Sequence, residues 1–259
     1  MKVRFLGTGT SQGVPVLGCS CTVCRSLDPR DKRLRTSIAI LLQEKVWVID
    51  TGPDFRQQVL NARLATVDAV LFTHAHKDHT AGLDDVRPFN YLQNKRIPIY
   101  GDAATIQQIK MEFAYAFDGP PYPGVPQLTP WEIEPLVPFS LHGIEVLPLP
   151  VLHYKLPVLA FRIGGLVYIT DASFIPEETW EYLYDVEVLI LNALRKEPHI
   201  SHFHLEAALA VVERVRPRRA YFTHISHLMG LHREVEKTLP SHVRLAYDGL
   251  EIEVSQRVP

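Results

Sequence analysis

The sequence predicts an α/β (α+β) protein in which strands and helices alternate within a single domain, residues 1–259, and three observations predict it. Apolar, β-branched runs of strand length alternate with stretches of helical periodicity along the chain. With 259 residues, 46% of them hydrophobic and 22% charged, the composition is ordinary globular, which excludes collagen-like, disordered and disulfide-stapled classes. Two strand ends in different halves, Val70-Leu-Phe-Thr-His74-Ala-His76 and Ala220-Tyr-Phe-Thr-His224-Ile-Ser-His227, echo each other, as a site between two sheets requires.

Residues 3–6, 36–42 and 46–50 read as strands, the last two joined as a hairpin at Gln43-Glu44-Lys45. Pro53 suits a first helical turn, and Phe55, Val59, Leu60 and Leu64 follow at helical spacing. Residues 68–73 and 97–100 are strands, and 103–117 is a helix with Ile106, Ile109, Phe113 and Ala116 on one stripe. Seven prolines between residues 120 and 138 deny a regular ladder and imply an irregular excursion, either a cap over a pocket or a surface crossover. Strands resume at 139–151, 158–163 and 166–170, followed by a short helix at 177–184 and a buried strand at 186–191. Residues 205–215 form an amphipathic helix with Leu205, Leu209, Val212 and Val215 on one side, ended by Pro217. A strand at 219–225 and a short helix closing at 234–239 lead to Tyr247-Asp248-Gly249-Leu250, the turn of a terminal hairpin.

Lysine and arginine total 27 against 29 acids, so the net charge is −2 and no global basic field draws nucleic acid. A small substrate is expected instead. The opening Met1–Gly7 has too short an apolar stretch for a signal peptide, and no run of 18 apolar residues occurs, so a soluble, cytoplasmic protein with no membrane partner is expected. All three cysteines fall in Cys19-Ser-Cys21-Thr-Val-Cys24, a spacing that suggests metal before disulfide in a reducing compartment. Arg25, Arg30, Lys32, Arg33 and Arg35 form a basic cluster, read as a solvated loop or as an attractor of anionic substrate.

The strongest chemical signal is His74-Ala-His76-Lys-Asp78-His79. If the strand continues past Thr73, its period of two puts His74 and His76 on one side, where both can bind one ion. Asp78 and His79 fall at a helix start and fan toward a neighbouring ion. Further candidates stand at other strand ends: His153, Asp171 and His224.

This pattern, His-x-His-x-Asp-His with downstream His, Asp and His, resembles the metallo-β-lactamase superfamily of dinuclear hydrolases, and Val48-Ile-Asp50-Thr-Gly52-Pro53 is similar to its strand-end motif. The resemblance implies a four-layer αβ/βα sandwich of two mixed β-sheets flanked by helices, with the metals at one edge. It also implies that His74, His76 and His153 hold one divalent ion, Asp78, His79 and His224 another, with Asp171 bridging. Zn or Mn would suit these donors. Asp50 would hydrogen-bond a ligating imidazole, or simply cap the helix after Pro53. The opening Gly7-Thr-Gly-Thr-Ser11 and the C-x-C-x-x-C loop are similar to PhnP-type phosphodiesterases, which implies a separate structural zinc on Cys19, Cys21, Cys24 and His227. Cys₃His is a closed zinc set on chemical grounds as well, and a redox thiol cluster is the alternative reading.

The implied activity is hydrolysis of a phosphodiester in a small phosphorylated substrate, such as a 5-phosphoribosyl 1,2-cyclic phosphate, by hydroxide generated between two ions about 3.5–4 Å apart. The resemblance assigns catalysis to Asp78 and to His202, a histidine outside the ligand set that would protonate the leaving oxygen. His204 is the second candidate for that role, with helix capping as its plainer reading, and Glu206 could orient such a ring. Competing activities are thioester hydrolysis of the glyoxalase II type, ribonuclease Z-like RNA processing and non-catalytic metal binding. A homodimer stays open on the sequence alone.

Overall fold

The computed structural model describes residues 1–118 and 124–256. Fourteen strands are formed among them: β1 Lys2–Gly7, β2 Ser37–Leu41, β3 Val46–Ile49, β4 Ala69–Leu71, β5 Ile97–Gly101, β6 Leu128–Glu132, β7 Phe139–Leu141, β8 Ile144–His153, β9 Leu156–Ile163, β10 Leu166–Ile169, β11 Val188–Asn192, β12 Arg219–Thr223, β13 Val243–Leu245 and β14 Glu251–Glu253. They make two seven-stranded mixed sheets, ordered β14-β1-β2-β3-β4-β5-β6 and β13-β12-β11-β10-β9-β8-β7.

The period of two along each strand sorts side chains between three apolar layers. Ile38 and Ile40 on β2, Leu166 and Tyr168 on β10, and Val188 and Ile190 on β11 face the layer between the sheets, together with Trp47 and Phe161. Ala39, Val48 and Val70 point the other way, onto the helices Phe55–Ala62 and Ala103–Glu112. Val167, Ile169, Leu189 and Leu191 do the same for the second sheet, onto the helix Leu205–Val215. The four-layer αβ/βα sandwich expected from the sequence is therefore present.

Several local expectations are corrected. The Asp-Gly turn at 247–250 closes no hairpin: β13 pairs with β12 in one sheet and β14 with β1 in the other, so this turn carries the chain between sheets. The proline-rich stretch contains β6, which is tolerated despite Pro130 because β6 is an edge strand and needs partners on one side only. Residues 119–123 of that stretch lie outside the described residues. The helix expected at 103–117 breaks at Phe113, whose backbone leaves the helical region, and resumes over Ala114–Phe117. The helix Phe55–Ala62 turns Phe55, Val59 and Ala62 to the core as expected but leaves Leu60 exposed, and Leu205–Val215 presents the expected Leu205, Leu209, Val212 and Val215 to the core, widened by Ala208 and Val211. No helix among the described residues is long and apolar enough to cross a membrane.

Candidate metal centre

Three strands end by turning one residue into the left-handed region: Asp50 after β3 (φ 65°), Asp171 after β10 (φ 57°) and His224 after β12 (φ 54°). Aspartate and histidine enter this region more readily than most residues, and its persistence at three strand ends marks a functional locus. Gly52 follows because a side chain there would collide with the carbonyl of Asp78, which packs against the Asp50 turn. The short helix Lys77–Thr80 delivers Asp78 and His79, and β8 ends on His153. β4 stops at Leu71, so His74 and His76 meet outside the ladder, with His74 Nε2 3.0 Å from His76 Nδ1.

All seven expected ligands gather in one cleft. Asp171 is at its centre, with Oδ2 3.2 Å from His79 Nε2 and Oδ1 3.1 Å from His224 Nε2. Asp78 Oδ2 lies 3.4 Å from His79 Nε2 and 3.9 Å from His224 Nε2. Ring centroids of His74 and His79 are 4.2 Å apart, and those of His76 and His153 are 5.2 Å apart. Among the described residues, donor atoms of Asp78, His79, Asp171 and His224 all lie within 4.8 Å of one another, as expected for one ion with Asp171 shared. The other His/Asp set with this property is His153, Asp171 and His202, whereas His74 and His76, expected to join His153, approach its ring at 5.9 and 5.2 Å between centroids and belong to neither set. His204 begins the helix Leu205–Val215 without a side-chain cap and joins neither set, and Glu206 is exposed.

Proton bookkeeping points the ring nitrogens inward. The hydroxyl of Thr73 donates to Asp50 Oδ2 at 2.8 Å, so it accepts from His74 Nδ1 at 3.0 Å and leaves His74 Nε2 a lone pair. Asp50 Oδ2 also accepts from His79 Nδ1 at 2.7 Å, and Asp50 is thus the buried orienter of two imidazoles and not a helix cap. His153 Nδ1 donates to the Ser201 carbonyl at 2.7 Å, which turns its Nε2 toward the cleft. Thr73 and Ser201 carry no signal of their own in the sequence beyond their place beside His74 and His202.

The residues fit divalent cations. His79 Nε2, His202 Nδ1 and both ring nitrogens of His224 are buried without a hydrogen-bond partner, although they crowd against carboxylates. Such atoms are rare unless a ligand completes them. Burial would raise Asp171 and Asp78, but the neighbouring His224 and His79 outweigh it and hold both carboxyls well below the usual range. Burial would lower His79, yet Asp171 and Asp50 outweigh it and raise that ring well above its ordinary value, so the locus favours positive charge. Imidazole with carboxylate suits Zn or Mn, the kinds of ion expected.

The second cluster assembles as expected. Sγ of Cys19 and of Cys21 lie 3.3 Å from His227 Nδ1, and Sγ of Cys24 lies 3.6 Å from it. A tetrahedral zinc with its usual bond lengths separates S from N by roughly 3.5 Å. The cysteines are free thiols in the structure, and the backbone N–H of Cys24 donates to Cys21 Sγ at 3.4 Å. Four members of the basic cluster are engaged by the fold, since Arg30 pairs with Asp28, Arg35 with Asp54, Lys32 donates to the Cys24 carbonyl and Arg33 is buried, while Arg25 is exposed.

Comparison with known proteins agrees with this geometry. A beta-lactamase superfamily domain matches residues 47–225. A crystal structure described as a new diphosphatase from the PhnP family is 37% identical, covers 100% of this chain and 99% of that one, and superposes with a TM-score of 0.92. An octanoyltransferase of Porphyromonas gingivalis is 39% identical over 99% of this chain but 52% of its own length; the chain spans about half the length of the curated relatives it matches. The zinc-bound PqqB of Methylobacterium extorquens shares the fold at a TM-score of 0.79 and 18% identity, covering 98% of this chain and 100% of that one.

Proposed function

Because the chain belongs to the beta-lactamase superfamily, and within it to the PhnP family, we propose that it is a metal-dependent hydrolase that cleaves a phosphodiester. The proposed substrate class is a small cyclic phosphate such as a 5-phosphoribosyl 1,2-cyclic phosphate. The observation that carries this reading is the convergence of buried, unpartnered imidazole nitrogens on the shared carboxylate of Asp171. His74, His76, His79, His153, His224, Asp78 and Asp171 would hold two divalent ions, and Cys19, Cys21, Cys24 and His227 a structural zinc. When bound, the ion pair supplies Lewis-acid polarisation of a phosphoryl oxygen and acidifies water at neutral pH.

The chain's own groups supply the rest. Asp50 and the Ser201 carbonyl fix the tautomers of His79 and His153, so their Nε2 atoms stay aimed at the cleft without further reorganisation. Asp78 and Asp171 stay ionised and balance the cations. Protonation of the leaving oxygen is assigned to His202, which stands 3.8 Å from Asp171 with its side chain 10% exposed. Burial, and then the His224 ring, push His202 down to about 3, so the free ring rests neutral and its role as acid requires that an anionic phosphate beside it restore the protonated form.

A second reading, hydrolysis of a diphosphate linkage, is favoured by the 37% identity to a PhnP-family diphosphatase. RNA as substrate is disfavoured because Arg30, Lys32, Arg33 and Arg35 are engaged within the fold, which leaves Arg25 as the exposed member of that cluster to meet phosphates. The test is a panel of cyclic phosphates, linear diesters, diphosphates and acyl-glutathione thioesters on protein of defined metal content. Turnover concentrated on cyclic or linear diesters supports the proposal, turnover concentrated on diphosphates supports the second reading, and turnover of thioesters alone overturns both.

A further inference from the structure

We propose that Asn192 is a positioning residue that holds the Asp171 turn and the His202 segment in register through the backbone of Ala172. Asn192 ends β11 and is fully buried. Its Oδ1 accepts from the Ala172 N–H at 2.8 Å and its Nδ2 donates to the Ala172 carbonyl at 2.9 Å, so one planar carboxamide satisfies both backbone groups of the residue after Asp171. The β10–β11 ladder stops at Ile169 and Leu191, and the Asn192 side chain extends the pairing by one step where the backbone departs. That departure is the left-handed Asp171, a conformation that persists only when its surroundings determine it.

The same carbonyl of Ala172 also accepts from the N–H of Phe203 at 2.7 Å, and Phe203 follows His202 directly. Phe203 in turn accepts from Leu194 at 2.9 Å, while the N–H of Ala193 donates to the Thr223 carbonyl at 2.9 Å, immediately before His224. Asn192 and the two residues after it therefore tie down the backbone beside Asp171, His202 and His224. The sequence did carry a trace of this residue: Asn192 is a polar side chain ending an apolar strand, as Asp50 does.

The inference rests on Asp171 being a metal ligand, and the experiment separates the two. Mn²⁺ is the probe, because it favours oxygen and nitrogen donors and leaves the thiolate cluster aside. It is titrated into chelator-treated full-length parent, Asn192→Ala, Asn192→Asp, Asp171→Ala and Asn90→Ala, with residual zinc and melting temperature recorded for each. Asn192→Asp keeps the volume and the acceptor but turns an acceptor toward the Ala172 carbonyl. Asn90 is the structural control: its amide makes three backbone hydrogen bonds at 2.9 Å, to Lys95 and twice to Gln127, and none reaches the cluster.

Both Asn192 variants are expected to bind Mn²⁺ roughly 10–100-fold more weakly than the parent while keeping the cysteine-bound zinc, and Asn90→Ala to lose stability without losing affinity. If Asp171→Ala binds like the parent, the metal reading fails and this inference with it. If Asp171→Ala loses Mn²⁺ but both Asn192 variants bind like the parent, the positioning role alone is overturned. Insoluble Asn192 variants beside a soluble Asn90→Ala would make Asn192 a folding residue and also overturn it.

Discussion

The carboxylate of Asp171 is shared between two imidazoles by one oxygen: Oδ1 lies 3.1 Å from His224 Nε2 and 3.8 Å from His202 Nδ1. A proposed ligand and the proposed proton donor thus meet the same atom, and the role of His202 is separable by leaving group. An alkyl diester leaves as a basic alkoxide, for which a positioned imidazolium contributes roughly 10²–10⁴-fold. His202→Ala should keep its metal, lose that factor on an alkyl or cyclic ribosyl diester, and lose far less on a p-nitrophenyl diester. Equal losses with metal retained would make His202 a substrate-positioning group, and loss of metal would make it a ligand. If His202→Ala is silent and His204→Ala shows the leaving-group dependence, the role passes to His204.

The relay from His74 through the Thr73 hydroxyl to Asp50, with His79 on the same carboxylate oxygen, predicts graded effects. Asp50→Ala removes the orienter of both rings and should weaken metal binding roughly 10–100-fold, whereas Thr73→Val cuts the His74 arm alone and should cost less. Calorimetric titration of metal into the two variants checks the order, and a larger loss in Thr73→Val contradicts it.

Cys19, Cys21, Cys24 and His227 should act on stability and not on chemistry, since a closed tetrahedral site has no position for water or substrate. Cys21→Ser should release the bound zinc and lower the melting temperature. A variant that keeps both its zinc and its stability but loses turnover would make the cluster catalytic or redox-active.

A buried network around Arg33 carries two opposed pH dependences. Burial, then the charges of Arg33 and Arg30, push His232 down to about 4, so the unfolded chain binds its proton first and stability is lost as pH falls from 6.5 toward 4. Burial pushes Asp248 up to about 6 against the hydrogen bonds from Leu34 and Thr8, so its contribution is full below 3.8 and is lost as pH rises through 6. The slopes offset each other in the parent. Relative to the parent, His232→Asn should become less destabilised on going from pH 7 to pH 4, and Asp248→Asn less destabilised on going from pH 4 to pH 7. Thermal melts across that range check both signs, and parallel trends in the two variants would contradict the assignment.

The proposed ligands were legible in the sequence because His74, His153, Asp171 and His224 follow or end apolar strand runs and His76, Asp78 and His79 crowd beside the first of them, although the strand period expected to align His74 with His76 stops at Leu71. Of the groups that aim them, Asp50 was legible as a carboxylate at a strand end, while Ser201 was not and Asn192 left only a trace. Ser201 acts through its carbonyl and Asn192 through a neighbour's backbone, so their partners are set by where two distant strands stop. The edge position of β6 was hidden for a related reason: Pro130 argues against a strand until the sheet order shows that one of its sides needs no partner. The turn at Asp248 and Gly249 has the composition of a hairpin, but its flanking strands found better partners in opposite sheets.

The central claim is a two-ion His/Asp centre beside a separate thiolate zinc, and elemental analysis of protein purified without chelator tests it most directly. The parent should contain about three ions per chain, and Asp171→Ala should retain little beyond the cysteine-bound zinc. A total near one ion in the parent, with Asp171→Ala unchanged, would contradict the account.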